Sequence, residues 1–344
     1  MNVRVSVIIP VHDCEEFIAA AVRSVLSQGR GDIELIVVDD GSTDGTTQAL
    51  EPFRGNLELI QQRNAGPAAA RNAGLRKAVG RYVAFLDADD WWCSSRLSAE
   101  LAAFERYPDA GLVFSDFSVV SAGGETILPL GIRWKYPLVY SAQATPWRRL
   151  FASTQAVEWN DGSGSANRAS AYRGRIATWL FRGNFINTSS VLARREALEG
   201  AGGFDENLGT EEDYDCWLRL ARDWPFVYVD APLVAFRRRA GQLTAPGQAE
   251  RILRNVATVV ERAATRMADS IDPGMVQSRL AAVHRALGIA CLRNGRTREA
   301  RRHLWRSIRE QPAQAVTALL LPMTLLPASV FGRLERFVRE FRNR

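Results

Sequence analysis

Along residues 1–120, short apolar runs alternate with stretches whose apolar positions recur at helical spacing, the pattern of a parallel α/β sheet. Val5-Ser6-Val7-Ile8-Ile9-Pro10 reads as a buried strand, and Glu15 to Gln28 as a helix with Phe17, Ile18, Val22, Val25 and Leu26 on one face. Glu34 to Asp39 is a second strand, after which Gly41-Ser42-Thr43 turns into a helix near 46–53. Leu57 to Ile60, Gly80 to Leu86 and Gly111 to Val120 continue the strands, separated by helices over Pro67 to Val79 and near 95–106. The expected fold is a mostly parallel, Rossmann-like α/β sheet with helices on both faces. Such sheets bind ligands beyond the carboxyl ends of their strands, so the polar residues there are the first candidates for chemistry.

The rhythm stops over residues 121–185, which read as irregular. Asn160 to Ser165 has the composition of a flexible loop, and Trp134, Trp147, Trp159 and Trp179 serve either as apolar anchors of a long loop or as sugar-stacking surfaces. From about Gln248 the pattern is helical. Within it, Leu287-Gly288, Cys291, Ala300, Leu304, Ser307 and Pro312 follow the spacing of a single tetratricopeptide-like hairpin, for which a plain helical hairpin is the simpler reading. Ala313 to Gly332 is uncharged but broken by Pro322 and Pro327, which disfavours a straight membrane-spanning helix. Val330, Phe331, Leu334, Phe337, Val338 and Phe341 then share one helical face among arginines, either an interfacial membrane helix or a terminal helix docked on its own domain. The expected division is 1–245, 246–312 and 313–344.

Composition narrows the picture. A hydrophobic content of 47% with 24% charged residues is that of a globular protein, and 344 residues exceed one domain of usual size. Cys14, Cys93, Cys216 and Cys291 are too scattered for a zinc site or a disulfide scaffold. The chain opens on Met1-Asn2-Val3-Arg4 and runs into a strand without the pattern of a signal peptide, giving a cytoplasmic expectation. The net charge of +6 is uneven: residues 248–344 hold 18 Arg, no Lys and 8 acidic residues. This basic region suggests an anionic partner. It lacks aromatic residues interleaved as a base-stacking platform, so peripheral contact with an anionic membrane is expected, and nucleic acid is not.

Three carboxylate clusters fall at expected strand or helix ends: Asp39-Asp40, Asp87-Ala88-Asp89-Asp90 and Glu211-Glu212-Asp213. The first suits hydrogen bonds from a nucleoside, yet no glycine-rich loop follows the first strand to cradle a pyrophosphate. Carboxylates repel phosphate unless a cation intervenes, so the second cluster implies Mg2+ or Mn2+ held by one or two aspartates plus substrate oxygens.

Val5 to Pro10, Val38-Asp39-Asp40-Gly41-Ser42-Thr43-Asp44, Asn64 to Gly74, Phe85-Leu86-Asp87-Ala88-Asp89-Asp90, Gly202-Gly203-Phe204-Asp205-Glu206 and Glu211 to Arg219 occur in that order. Together they make residues 3–244 resemble the family 2 glycosyltransferases, whose fold is the nucleotide-binding type A glycosyltransferase domain. The resemblance implies inverting transfer from a nucleoside-diphosphate sugar to a hydroxyl of a glycan or lipid-linked acceptor, with residues 121–185 on the acceptor side. It also implies roles. Asp39 would hold base or ribose, with Pro10, Val11 and Asp13 lining the pocket and Asp40 fixing the turn. Asp87 would meet ribose and metal beside Ala88, Asp89 would be the direct metal ligand, and Asp213 the general base, with Glu212 orienting the acceptor. Arg71 would reach the nucleotide or make a structural salt bridge to a strand-end aspartate. Two positions depart from the pattern: His12-Asp13 stands where many relatives have Tyr-Asn, and Arg239 where relatives often have histidine, so Arg239 is a candidate to neutralise diphosphate directly.

Two other readings compete. A nucleotidyltransferase would need a glycine-rich basic loop after the first strand, which is absent, and an interaction module would have no use for an intact Asp213. Bacterial cell-surface polysaccharide or lipopolysaccharide synthesis is the expected setting; donor base and sugar are not legible.

Overall fold

The first strand, β1 (Val5–Val11), is buried at all seven positions. Successive strand residues point to opposite faces, so both sides of the sheet are covered here, as a parallel sheet requires. The computed structural model describes residues 3–132, 150–160, 166–239, 242 and 248–325. The chain divides into two compact units, Met1–Ala240 and Gly241–Arg344.

In the first unit β1 is followed by α1 (Ile18–Leu26), β2 (Ile33–Asp39), α2 (Thr46–Leu50), a 3-10 turn, β3 (Glu58–Gln61), α3 (Pro67–Lys77) and β4 (Tyr82–Phe85). β5 (Trp91–Trp92), α4 (Arg96–Arg106), β6 (Leu112–Val120), β7 (Thr126–Leu128), β8 (Ser153–Asn160) and β9 (Ala166–Gly174) come next. The unit closes with α5 (Ala177–Arg182), β10 (Val191–Arg194), α6 (Arg195–Gly200), α7 (Glu212–Asp223) and β11 (Phe226–Arg237). The described strands form one mixed sheet in the order β3-β2-β1-β4-β10-β6-β11-β9-β8, with β5 on β11 and β7 on β6. β3, β2, β1 and β4 run parallel, as the apolar runs predict. β10 enters antiparallel between β4 and β6, which places the start of β10 beside the carboxyl end of β4.

Packing at the centre is tight. Gly74 of α3 sits so close to β1 that an added Cβ would lie 2.5 Å from Ile8 Cγ2, so a glycine is needed there. Under the sheet, Arg96 and Glu100 form a fully buried pair, with the Arg96 guanidinium 3.9 Å from the Trp92 ring. Burial pushes the Glu100 carboxyl up to about 7 despite its arginine partner.

The region read as irregular contains regular structure. β8 and β9 form an antiparallel hairpin from Ser153↔Arg173 to Asn160↔Ala166. The alternation that marks a half-exposed strand is present in β8, where Val157 and Trp159 are buried and their neighbours exposed. Trp159 is thus an apolar anchor, and Trp179 lies under the Arg182 guanidinium. Trp134, Trp147 and the loop residues 161–165 lie outside the described residues.

The second unit is helical: α8 (Ala249–Arg266), α9 (Pro273–Arg293), α10 (Thr297–Glu310) and α11 (Ala315–Met323). The predicted hairpin is α9 against α10, where Leu287, Gly288, Cys291, Ala300, Leu304 and Ser307 are buried. The apolar-basic tail over 330–344 lies outside the described residues. No helix among those described is long and apolar enough to cross a membrane.

Candidate active site

The carboxyl ends of β1, β2 and β4 and the amino end of β10 meet at one rim, and the predicted carboxylates lie along it. On the β2 side they are held from within. Asp39 is buried and accepts hydrogen bonds from the Ser42 N–H at 2.9 Å, the Thr47 hydroxyl at 3.3 Å and the Gln61 amide at 3.4 Å. Asp40 accepts from the Gln62 amide and from the N–H groups of Ala65 and Gly66 at 2.8–2.9 Å, clamping the approach to α3. Pro10 and Val11 are buried at the end of β1, where the Val11 carbonyl accepts the Asp40 N–H. Asp13 has left-handed backbone, φ 45°, and accepts the Thr43 N–H at 2.7 Å. That amide holds the exposed Asp13 carboxyl below its usual range.

The β4 side differs, because guanidinium groups engage its carboxylates. Arg71, projecting from α3 with 6% of its side chain exposed, donates to Asp87 at 2.8 Å and to Glu212 at 2.5 Å. Burial disfavours the charge on Arg71, but Asp87 and Glu212 outweigh it and raise its proton affinity. For Arg71 the structural salt bridge is therefore realised, and it joins two sequence motifs 141 residues apart. Burial raises the Glu212 carboxyl, Arg71 opposes this, and neighbouring Asp213 adds to it. Glu212 opens α7 after Glu211, which is left-handed at φ 65°. The non-glycine residues of left-handed backbone among those described are Asp13 and Glu211, both on this rim; such strain of about 1 kcal/mol or more collects at functional sites.

Asp213 is half-buried, and three donors fix its carboxylate: the Thr188 hydroxyl at 2.8 Å, the Asn184 amide at 3.3 Å and the Tyr214 N–H at 2.6 Å. A carboxylate so oriented can accept a proton from a hydroxyl brought to it.

Asp89 accepts from Arg239 Nε at 2.8 Å, and Arg237 Nε donates to the Asp89 carbonyl at 2.9 Å. Arg237 lies between the Phe17 and Trp91 rings, 4.5 and 4.6 Å from their centroids. Asp90 is buried, accepting from the Arg237 N–H and the Ser189 hydroxyl. Burial first, and then Asp89 and Asp87, push its carboxyl well up. Asp90 is the pin of this corner, and Ala88 is buried between its acidic neighbours.

A hard divalent cation fits the donor set of Asp87 and Asp89 by chemistry: both are carboxylates, and Asp87 keeps 34% of its side chain exposed. Among the described residues no group of three or more His, Cys, Asp and Glu is placed to hold a metal ion.

Thr188, Ser189, Asn184 and Arg237 were not anticipated. The polar run Asn187-Thr188-Ser189-Ser190 immediately before an apolar strand was visible in the sequence. Reading it as site-lining required knowing that β10 is antiparallel, so that its beginning lies at the ligand end.

A family model described as "Glycosyl transferase family 2" matches residues 6–166, and one described as "Glycosyltransferase like family 2" matches residues 169–267. TuaG of Bacillus subtilis, named for teichuronic acid biosynthesis, is 40% identical over 124 residues, 35% of this chain and 49% of TuaG. The Escherichia coli UDP-Glc:alpha-D-GlcNAc-diphosphoundecaprenol beta-1,3-glucosyltransferase WfaP is 40% identical over 103 residues, 29% of this chain and 41% of WfaP. The matches span about half the length of these curated relatives or less. Among solved structures, S. aureus TarS 1-349 superposes with a TM-score of 0.56 at 19% identity, over 90% of this chain and 81% of that one. The mannosyltransferase PcManGT from Pyrobaculum calidifontis, in complex with GDP-Man and Mn2+, gives a TM-score of 0.56 at 19% identity, over 94% and 79%. At these identities the likeness concerns the fold, that of type A glycosyltransferases.

Proposed function

The chain belongs to the family 2 glycosyltransferases, and from that premise we propose that it transfers a sugar, with inversion, from a nucleoside-diphosphate donor to a hydroxyl of a glycan or lipid-linked acceptor. The observation that carries this reading is the Arg71 guanidinium, which holds Asp87 and Glu212 at once. It binds the acidic strand end, where a diphosphate and its counter-charge belong, to the helix turn that bears Asp213.

Asp213 takes the proton from the acceptor hydroxyl as that oxygen attacks the anomeric carbon opposite the leaving group. Thr188 and Asn184 keep the carboxylate in one orientation during the attack. Glu212, anchored by Arg71, shapes the acceptor side, and Asp39 and Asp13 line the nucleoside pocket with Pro10 and Val11. Asp89 and Asp87 would hold Mg2+ or Mn2+, which would neutralise the charge that collects on the departing diphosphate. Arg239 adds a second positive charge on the same side. The names of TuaG and WfaP support a bacterial surface-polysaccharide setting with a lipid-linked acceptor, and the proposal sets this work at the inner face of the plasma membrane. The expected division at 245 and 312 and the peripheral membrane contact belong to the same reading.

A thermal-shift panel of uridine, guanosine and thymidine diphosphates and their sugars, with and without Mn2+, tests it. One base is expected to raise the melting temperature, with a larger shift when Mn2+ is present. A ligand at a hundred times its Kd adds about 2.7 kcal/mol. No stabilisation by any of them would sink the proposal.

A further inference from the structure

In the second unit the buried described side chains in and beside α11 are polar, whereas its leucines are half-buried or exposed, unlike a helix packed apolar face inward in water. Thr317 is fully buried, and Gln314 just before the helix and Thr324 just after it are buried too. Gln314 donates to the carbonyls of Ser307 and Gln311 at 3.0 and 2.9 Å and accepts from Thr317 at 2.8 Å. Arg301 of α10 donates to the Thr324 hydroxyl at 3.1 Å. This polar seam fixes α11 to α10, while Leu319 and Leu325 are 72% and 74% exposed. Hydrogen bonds attach the helix, and its apolar surface is left over.

The neighbouring helix complements it. On α10 the exposed residues Arg298, Arg302, Trp305 and Arg309 recur at intervals of four, three and four, which places them on one helical face. Trp305 is 54% exposed. An exposed tryptophan among arginines suits the headgroup layer, where the indole sits at the apolar boundary and the guanidinium groups meet lipid phosphates. Nine residues of helix extend only about 14 Å, against a hydrocarbon core of roughly 30 Å, so α11 can lie on a bilayer but not cross it.

We propose that the outer surface of α10 and α11 is a docking surface for an anionic lipid bilayer, with Trp305, Leu319 and Leu325 entering the interface and Arg298, Arg302 and Arg309 pairing with headgroup phosphate. It deepens the membrane part of the reading above and is independent of the donor chemistry.

The test uses the full chain and vesicles of phosphatidylcholine with and without phosphatidylglycerol. Replacing Arg298, Arg302 and Arg309 together by Gln is expected to lower partition to the anionic vesicles roughly a hundredfold, since each basic residue near such a surface contributes about 1 kcal/mol. Leu319→Gln with Leu325→Gln is expected to lower it further, and brominated lipid to quench a tryptophan signal that Trp305→Phe removes. Circular dichroism melts that match the parent protein establish that these surface variants are folded. Unchanged partition of the triple variant would overturn the proposal, because binding would then reside in the 326–344 segment. Equal binding to pure phosphatidylcholine would overturn it, as would a self-association abolished by the leucine variants in a chain that ignores vesicles. Thermal shifts by nucleoside diphosphates are read separately, so failure here leaves the transferase reading standing, and the reverse also holds.

Discussion

Glu212 in the first unit and Glu250 in the second are both buried glutamates engaged by arginine, and their affinities for protons move in opposite directions. Burial pushes both carboxyls up. At Glu250 the Asn294 amide at 2.6 Å, Arg254 at 2.7 Å and Arg296 outweigh burial and bring the carboxyl down to about 2. Glu212 shares its Arg71 with Asp87 and stands beside Asp213, and its carboxyl stays up. Donor number and like-charge neighbours therefore decide the outcome, more than the presence of an arginine. A carboxylate supplied with donors ties helices together. Carboxylates crowded around one guanidinium remain in tension, which is the arrangement expected where a reaction needs charge.

The largest expected effect lies on the crowded side. Asp213→Asn keeps the hydrogen-bonding shape but cannot take a proton, so turnover should fall about 10^3- to 10^4-fold, a loss of about 4 to 5.5 kcal/mol. Nucleoside-diphosphate binding by calorimetry should be little changed. An enzyme that turns over normally would remove Asp213 from its role. Next comes Arg71→Met, which strands Asp87 and buried Glu212 without their shared cation. Breaking one side of a buried pair costs about 3 to 4 kcal/mol, measurable by urea unfolding. Adding Glu212→Gln should recover part of that loss. If the double variant is no more stable than the single one, Glu212 is not under the tension inferred for it.

The matching experiment in the second unit is Glu250→Gln. A carboxyl whose value falls from 4.5 to about 2 on folding contributes stability that is fully present above pH 4.5 and lost as the pH falls through 2. The variant should therefore lose about 3 kcal/mol at pH 7, with the difference shrinking between pH 4.5 and 2. Hydrogen exchange of α9 and α10 amides reads this unit separately from the other. Glu212 has the opposite sign: its ionised form is disfavoured by folding, so lowering the pH through its raised value should relieve the first unit. Parallel acid profiles for Glu250→Gln and Glu212→Gln would erase the contrast.

Sequence made one half of this comparison accessible. β1 and β4 are buried at every position because both faces of the sheet are covered there, and continuous apolar runs bounded by turns are visible without a structure. Asp39, Asp87, Asp89 and Asp213 stand out as candidates because they follow such runs or open a helix. The hairpin of β8 and β9 is less legible: Ser153 and Gln155 are polar at the inward positions that precede Val157 and Trp159, and no adjoining run suggests a partner. Partnership itself was the least legible. Arg71 meets Glu212 across 141 residues and Arg239 meets Asp89 across 150, and the sequence carries no local trace of either contact. Glu250 drew no attention because a lone glutamate at a helix start looks like any solvated residue until Arg254, Asn294 and Arg296 are seen to converge on it.

The smallest expected effect concerns Arg239. Its Nε lies 2.8 Å from Asp89 Oδ2, so a divalent cation approaching Asp89 meets a positive charge already paired with the carboxylate proposed to hold it. Arg239→Ala removes that competitor, and Mn2+ should bind the nucleotide-free protein about tenfold more tightly, a gain of about 1.4 kcal/mol, read by paramagnetic resonance of free Mn2+. Nucleoside diphosphate without metal should bind more weakly, because the guanidinium no longer offers its charge to phosphate. The two changes of opposite sign separate this role from simple support of the fold, which would leave Mn2+ affinity alone and lower the melting temperature. Arg239→His should fall between, since imidazole can share a cation with Asp89 but is mostly uncharged at neutral pH. If Arg239 instead belongs with the donor-rich pairs such as Glu250 and Arg254, its removal will cost stability and change neither ligand, and the line drawn between the two kinds of carboxylate would then have to pass through Asp89.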